Sequence, residues 1–163
     1  MDAVLECCCG LDVHRDEIVA CILKGPLNCE AISEVRSFSA LQHGLEKLKN
    51  WLEQEDCHNV AMESTGVYWK PVFTMLEDAF EGDIRLLLVN AHHMRNVPGR
   101  KTDVKDAQWI ASLLRAGLLK GSFIPDRDIR ELRDLTRYRK NMVEEVSTQK
   151  NHIEKFLQSS GFK

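Results

Sequence analysis

Residues 7–14, Cys-Cys-Cys-Gly-Leu-Asp-Val-His, form an apolar run that carries one acid, Asp12, near its end. Two further short apolar runs follow at residues 18–23 and 31–38, and Gly25-Pro26 marks a turn between them. Strands that follow one another across short turns usually pair antiparallel. The start of the chain therefore predicts a three-stranded meander whose first strand is buried and ends near an acid.

A leucine repeat after this meander predicts the first helix, over residues 40–55, with Ser39 as its N-cap. The remaining predicted elements are a strand over residues 59–63, a helix over 68–80, a strand buried on both faces over 84–89, a loop over 90–101 and a helix over 103–119. Strand–helix–strand crossovers behind a meander give a mixed sheet flanked by helices. This order is that of a ribonuclease H-like α/β fold.

The sequence pattern changes after Pro125. Residues 128–157 form one long helical pattern without glycine or proline, with an irregular apolar stripe and a basic first half. Such a helix is typical of a protruding coiled-coil arm. We therefore expect a domain at residues 1–125 and the start of a helical arm at residues 126–163.

The composition, 44% apolar and 29% charged, is that of a soluble globular chain. No apolar run approaches the roughly 20 residues that span a membrane, and the start of the chain lacks a basic secretory signal. We expect a cytoplasmic protein with no membrane partner. Residues 1–90 hold 7 basic and 16 acidic residues, whereas residues 91–163 hold 15 and 9. The second half is therefore where we expect a polyanion to bind.

Six cysteines, three of them consecutive at residues 7–9, show no C-x-x-C pair and no zinc-ligand spacing. No zinc site is predicted. We expect buried thiols that serve as small apolar side chains in a reducing compartment.

Four acidic residues lie at or near the ends of the predicted strands and helices. Asp12 interrupts a buried strand and Glu63 ends another, while Asp103 and Asp106 share one face at the start of a helix. Phosphoryl transfer on nucleic acid uses two divalent cations about 4 Å apart, and magnesium prefers oxygen ligands. The four carboxylates therefore predict a catalytic Mg²⁺ site, with Mn²⁺ as a substitute, in which Asp12 and Asp106 are the preferred direct ligands. For the helix pair, plain N-terminal capping is an alternative.

Basic residues flank the acid pair and are predicted to contact phosphates of nucleic acid: Arg95, Arg100, Lys101 and Lys105. A solvated loop is the alternative for this group. His14 is a candidate proton carrier. Tyr68 either stacks on a base or packs in the core, and we expect Trp69 to pack.

Longer motifs surround these residues. Residues 10–16 are Gly-Leu-Asp-Val-His-Arg-Asp, residues 62–70 are Met-Glu-Ser-Thr-Gly-Val-Tyr-Trp-Lys, and residues 97–107 are Val-Pro-Gly-Arg-Lys-Thr-Asp-Val-Lys-Asp-Ala. Gly-Leu-Leu at residues 117–119 and Ser-Phe-Ile-Pro at residues 122–125 follow. In this order the blocks resemble the N-terminal, RuvC-like domain of DEDD-type insertion-sequence transposases and recombinases, the IS110 and Piv invertase type.

The resemblance implies a RuvC-like fold and a magnesium-binding acid set at Asp12, Glu63, Asp103 and Asp106. It further implies metal-dependent DNA strand cleavage and transfer, guidance by a structured RNA, and homo-oligomers assembled through the helical arm. Members of this family carry a second, C-terminal domain with a proposed serine nucleophile. The chain ends at Lys163, so we expect that domain to be absent and the chain not to recombine DNA alone.

Three other functions stay open from the residues. A junction-resolving endonuclease of the same fold would need no second domain. A sugar-kinase or actin-like ATPase domain normally has a glycine-containing phosphate loop after the first acid, and Val13-His14-Arg15 disfavours it. A non-catalytic, nucleic-acid-binding assembly module would act through the arm alone.

Overall fold

The computed structural model describes residues 2–63, 66–90 and 106–162. Its strands are β1 (Cys7–Val13), β2 (Glu17–Lys24), β3 (Ile32–Ser39), β4 (Asn59–Glu63) and β5 (Arg85–Val89). Its helices are α1 (Gln42–Gln54), α2 (Trp69–Ala79), α3 (Asp106–Arg115) and α4 (Arg127–Ser159). The chain divides into two compact units, Met1–Phe123 and Ile124–Lys163. Across the described ranges, no helix combines the length and the apolar character needed to cross a membrane.

The five strands form one mixed sheet in the order β3-β2-β1-β4-β5. The first three strands pair antiparallel, as the short turns between them predict. β4 lies parallel to β1, and β5 lies parallel to β4, each after a helix. The predicted meander followed by crossovers is therefore confirmed.

One face of the sheet packs against α3. The shared core there includes Cys8 of β1, Cys21 of β2, Ala61 of β4 and Leu113 of α3, all fully buried. Because successive strand residues point to opposite faces, Cys8, Gly10 and Asp12 of β1 project toward the α3 side. The alternate residues, such as Leu11, are buried on the opposite side of the sheet.

A buried arginine at the end of α3 forms hydrogen bonds with the N-terminal segment and with the turn between β2 and β3. Arg115, at the end of α3, is 9% exposed, and its guanidinium donates hydrogen bonds to backbone carbonyls of Leu5, Gly25, Pro26 and Cys29. Burial of a charge is costly unless its donors are satisfied. These hydrogen bonds therefore hold the turn between β2 and β3 against α3, where Ala31 also packs on the core.

Three details of the predicted elements are wrong. Leu86 and Leu87 of β5 are only half-buried, because β5 lies at the edge of the sheet rather than between two layers. Leu41 rather than Ser39 is the N-cap of α1, although the Ser39 hydroxyl accepts a 3.2 Å hydrogen bond from the Leu41 amide. α3 ends at Arg115 rather than at residue 119.

The end of α3 has a local cause. Gly117 adopts a φ of 69°, and the amide of Leu118 donates to the carbonyl of Leu113 at 3.0 Å. This 6→1 bond after a left-handed glycine is the Schellman pattern that terminates helices. The apolar periodicity continues past Gly117, but the backbone leaves the helix there.

The second unit is dominated by α4. This helix has 33 residues, all of them described, and none of them is buried. It ends at Ser159, after which Gly161 has a φ of 83° and the amide of Phe162 donates to the carbonyl of Leu157 at 3.0 Å.

Candidate metal centre

Two of the predicted acids lie on neighbouring parallel strands. In the register of β1 and β4, Gly10 pairs with Ala61 and Leu11 with Met62, so the next step brings Asp12 level with Glu63. Ala61 belongs to the core under α3, and Glu63 lies two residues further on the same face. Asp12 and Glu63 therefore project to the same side of the sheet, at its carboxyl edge.

A close helix–strand contact brings the third acid to this edge. A Cβ atom on Gly10 would overlap the carbonyl oxygen of Ala107 and the amide nitrogen of Ala111. The backbone of α3 therefore lies directly on β1, which only glycine permits. Asp106 lies in the first turn of α3, next to Ala107. Gly10 thus fixes the start of α3 close to Asp12.

Asp12 has the electrostatic signature of an acid cluster. Burial raises the pKa of its carboxyl group above the ordinary value, and the charges of Asp106 and Glu63 raise that pKa further. His14 opposes these effects, through its charge and through a hydrogen bond from its Nε2 to Oδ2 of Asp12 at 3.1 Å. A bound cation would relieve the repulsion that these neighbouring charges exert on the Asp12 carboxylate.

The donor chemistry of the three described acids suits a hard divalent cation, because all are carboxylates on separate elements. Within residues 2–63, 66–90 and 106–162, no three histidine, cysteine or acidic side chains are already close enough to hold a metal ion. The fourth predicted ligand, Asp103, lies outside these ranges. So do the predicted phosphate contacts Arg95, Arg100, Lys101 and Lys105.

The turn after Asp12 lines a cavity whose walls do not include Asp12, Glu63 or Asp106. Its volume is about 420 Å³, and its walls include His14, Arg15 and Tyr68. Tyr68 is 43% exposed, which leaves its ring available to a ligand. Trp69, in contrast, packs edge-on against Phe73 with ring centroids 5.8 Å apart, as expected.

Sequence reasoning missed two contributions to this site. Gly10 was recognised only as part of a motif, although a glycine inside a strand is a signal of close backbone approach. His14 was considered as a proton carrier, whereas here it is a hydrogen-bond partner of Asp12. Its position two residues after Asp12, directly after the end of β1, was the available signal.

The sequence and structure of this chain are similar to those of known proteins. A family profile described as transposase, DEDD_Tnp_IS110, matches residues 9–161. The Sinorhizobium fredii protein y4qE, whose name assigns it provisionally to the transposases, is 39% identical over 61 residues. That match covers 37% of this chain and 16% of y4qE.

Among solved structures, Thermus thermophilus RuvC superposes with a TM-score of 0.51 at 12% sequence identity, over 71% of this chain and 99% of RuvC. The same protein solved with a Holliday junction substrate gives a TM-score of 0.49 at 13% identity, over 72% and 100% of the two chains. The first of these similarities shows that the fold is RuvC-like, in agreement with the predicted ribonuclease H-like sheet.

Proposed function

This chain belongs to the IS110-type family of DEDD transposases, and we propose that residues 1–125 are its catalytic domain for divalent-metal-dependent DNA strand cleavage and transfer. Residues 126–163 are the start of a helical arm through which copies of the chain assemble. The observation that supports this proposal is the placement of Asp12, Glu63 and Asp106 on the same side of the sheet.

The proposed ligands of the cations are Asp12, Glu63, Asp103 and Asp106. When bound, Mg²⁺ ions neutralise charge on the attacking and leaving oxygens of a phosphodiester. Asp12 and Asp106 bind directly, since Asp12 already experiences the charge of Asp106. His14 orients the Asp12 carboxylate through Nε2. The close contact at Gly10 fixes the position of α3, which carries Asp106, relative to β1, which carries Asp12.

The proposed polymer partners are DNA and a structured guide RNA. Arg95, Arg100, Lys101 and Lys105 contact phosphates next to the acids, because Lys and Arg gain affinity by releasing counterions from nucleic acid. The exposed ring of Tyr68 and the Arg15 side chain, both on the cavity that the turn after Asp12 lines, contact the strand that enters the site. Guidance by RNA is supported by family membership alone.

Manganese binding by the whole chain tests the metal site. Free Mn²⁺ is followed by its electron paramagnetic resonance signal while the protein is titrated, with and without a short DNA duplex. Asp12→Asn and Asp106→Asn should each weaken binding at least about tenfold, the loss typical even for outer-sphere partners of a metal. Asp16→Asn is the matched control, because Asp16 lies four residues from Asp12 but has an 89% exposed side chain.

The control variant should bind Mn²⁺ as the unaltered chain does. Equal affinity in all four proteins, or no binding even with DNA present, would contradict the proposed site. Cleavage of a four-way DNA junction by this chain, without strand transfer, would instead favour the junction-resolving alternative.

A further inference from the structure

The first half of α4 carries a one-sided basic surface. Arg130, Arg133, Arg137 and Lys140 follow one another at spacings of three, four and three residues, which places them on one face of a helix. We name these four residues the basic stripe. Residues 127–140 hold six basic and three acidic side chains, so this segment is positively charged as a whole.

The opposite face of the same helix is largely apolar, with Arg139 between Leu135 and Met142 and Asp128 in its first turn. Leu132, Leu135, Met142 and Val146 lie there at helical spacing, and each is 49–66% exposed. The two faces separate two kinds of contact, because apolar side chains suit a helix partner and guanidinium groups suit an anion. The basic stripe therefore stays accessible when the apolar face is covered.

The two ends of the stripe are engaged by groups of the same unit. Arg130 is half-buried and donates a 3.1 Å hydrogen bond to the Pro125 carbonyl, and Lys140 forms an ion pair with Glu144 at 3.7 Å. In the part of the chain that the structure describes, no carboxylate forms an ion pair with Arg133 or Arg137. These two residues are the centre of the stripe and the main candidates for binding an external anion.

We propose that the basic stripe binds the sugar-phosphate backbone of duplex DNA. The ten residue steps of helix from Arg130 to Lys140 extend about 15 Å. A DNA strand carries one charge per roughly 3.4 Å of its axis, so the stripe faces about four phosphates. Three of its four residues are arginines, which bind phosphate oxygens bidentately.

Duplex DNA fits this surface better than a single strand or a lipid surface does. Single strands are bound by stacking on exposed aromatic rings, and the aromatic residues of α4, Tyr138 and Phe156, share the apolar face rather than the basic one. A lipid surface requires an apolar face free of acids, but Asp128 and Glu131 lie on that side of the first turns. The choice of DNA rests on the proposed function, in which this chain acts on DNA.

The test compares two double variants that each remove two positive charges from α4. Arg133→Gln with Arg137→Gln neutralises the centre of the stripe, and Lys150→Gln with Lys155→Gln is the matched control further along the helix. Binding of the whole chain to a labelled DNA duplex is measured by fluorescence anisotropy in EDTA, between about 50 and 200 mM salt. An RNA duplex of the same sequence and anionic lipid vesicles are measured in parallel.

The stripe variant should bind DNA at least about tenfold more weakly at low salt, and the slope of log K against log salt should fall by about 2, or 0.9 per lost phosphate contact. The control pair should retain the slope. Equal losses in both pairs, no loss in either, or a loss confined to RNA or vesicles would overturn the proposal. Because EDTA removes divalent cations, this assay reports on the stripe without the metal site, whose failure the manganese titration measures separately.

Discussion

Helices α3 and α4 have similar apolar periodicity but differ completely in burial. Leu113 of α3 is fully buried under the sheet, whereas Leu135 of α4 is 66% exposed. α3 packs against three strands of the central sheet, while α4 contains no buried residue at all. An apolar stripe therefore predicts a helix, but it does not predict whether another part of the fold covers that stripe.

This difference changes what stabilises each helix. α3 gains free energy from apolar area removed from water within its own chain. An exposed helix keeps its backbone hydrogen bonds but gains little from its leucines until another surface covers them. We therefore expect mutations in α3 to affect folding, and mutations in α4 to affect association.

Replacing one leucine of each helix by alanine should give the largest difference in the free energy of unfolding. Leu113→Ala creates a cavity in the core and should lower the free energy of unfolding by about 2–5 kcal/mol. Leu135→Ala should change it by less than about 0.5 kcal/mol at protein concentrations where the chain is monomeric. Urea unfolding followed by tryptophan fluorescence measures both, since Trp51 and Trp109 are buried in the first unit.

Oligomeric mass, measured by light scattering, completes that comparison. Leu135→Ala should weaken any concentration-dependent assembly, while Leu113→Ala should leave the assembly of its folded fraction unchanged. A large loss of monomer stability in Leu135→Ala would show that α4 is covered by its own chain, and would remove the contrast between the helices.

A smaller loss of stability is expected from a substitution at the contact between α3 and β1. Gly10→Ala adds a methyl group that must displace backbone atoms of Ala107 and Ala111, and overpacking of this kind costs about 1–3 kcal/mol. The displacement should also move Asp106 away from Asp12 and weaken Mn²⁺ binding. Thermal unfolding and the manganese titration measure the two consequences.

Gly121→Ala is the control for that variant. Its added methyl group would approach only the Leu87 side chain, with the nearest atom at 3.3 Å, and a side chain can rotate away. We expect a change of less than about 1 kcal/mol and unaltered Mn²⁺ affinity. If Gly10→Ala behaves as Gly121→Ala does, the close helix–strand contact does not position the acids.

The smallest predicted effect concerns a cysteine at the other end of β1. A hydrogen bond from the Cys57 thiol lowers the pKa of Cys7 to about 7, with a further contribution from the charge of Lys24 and against an opposing effect of burial. A lowered pKa makes the thiolate the main form above about pH 7. Alkylation of Cys7 by iodoacetamide, followed by mass spectrometry, should therefore reach half its maximal rate near pH 7.

Cys57→Ala should shift the midpoint of Cys7 alkylation to higher pH, because the donor to the thiolate is lost. Neighbouring thiols should not obscure the result, since burial raises the pKa of Cys8 to about 12 and raises that of Cys9 as well. An unchanged midpoint in Cys57→Ala would show that the thiol–thiol hydrogen bond is not the cause. Sequence reasoning treated all six cysteines as buried apolar side chains, which is wrong for the exposed Cys29 and incomplete for Cys7.

Much of the fold could be predicted because strong local signals agree with the tertiary arrangement. The short turns at residues 14–16 and 25–31 require the antiparallel pairing of β1, β2 and β3. The predictions that were wrong concern features that depend on distant parts of the chain. Leu86 and Leu87 read as doubly buried residues, but no local signal shows that β5 is an edge strand.

The sequence by itself determined the strand and helix order, the acids at strand ends and at the start of a helix, and the motifs of the transposase family, since these depend on residue type and spacing. Only the tertiary structure decided that Asp12, Glu63 and Asp106 share one side of the sheet. The register of β1 and β4 joins residues 51 positions apart, and the contact of Gly10 with Ala107 joins residues 97 positions apart. Such contacts follow from packing complementarity between surfaces, which no local pattern encodes.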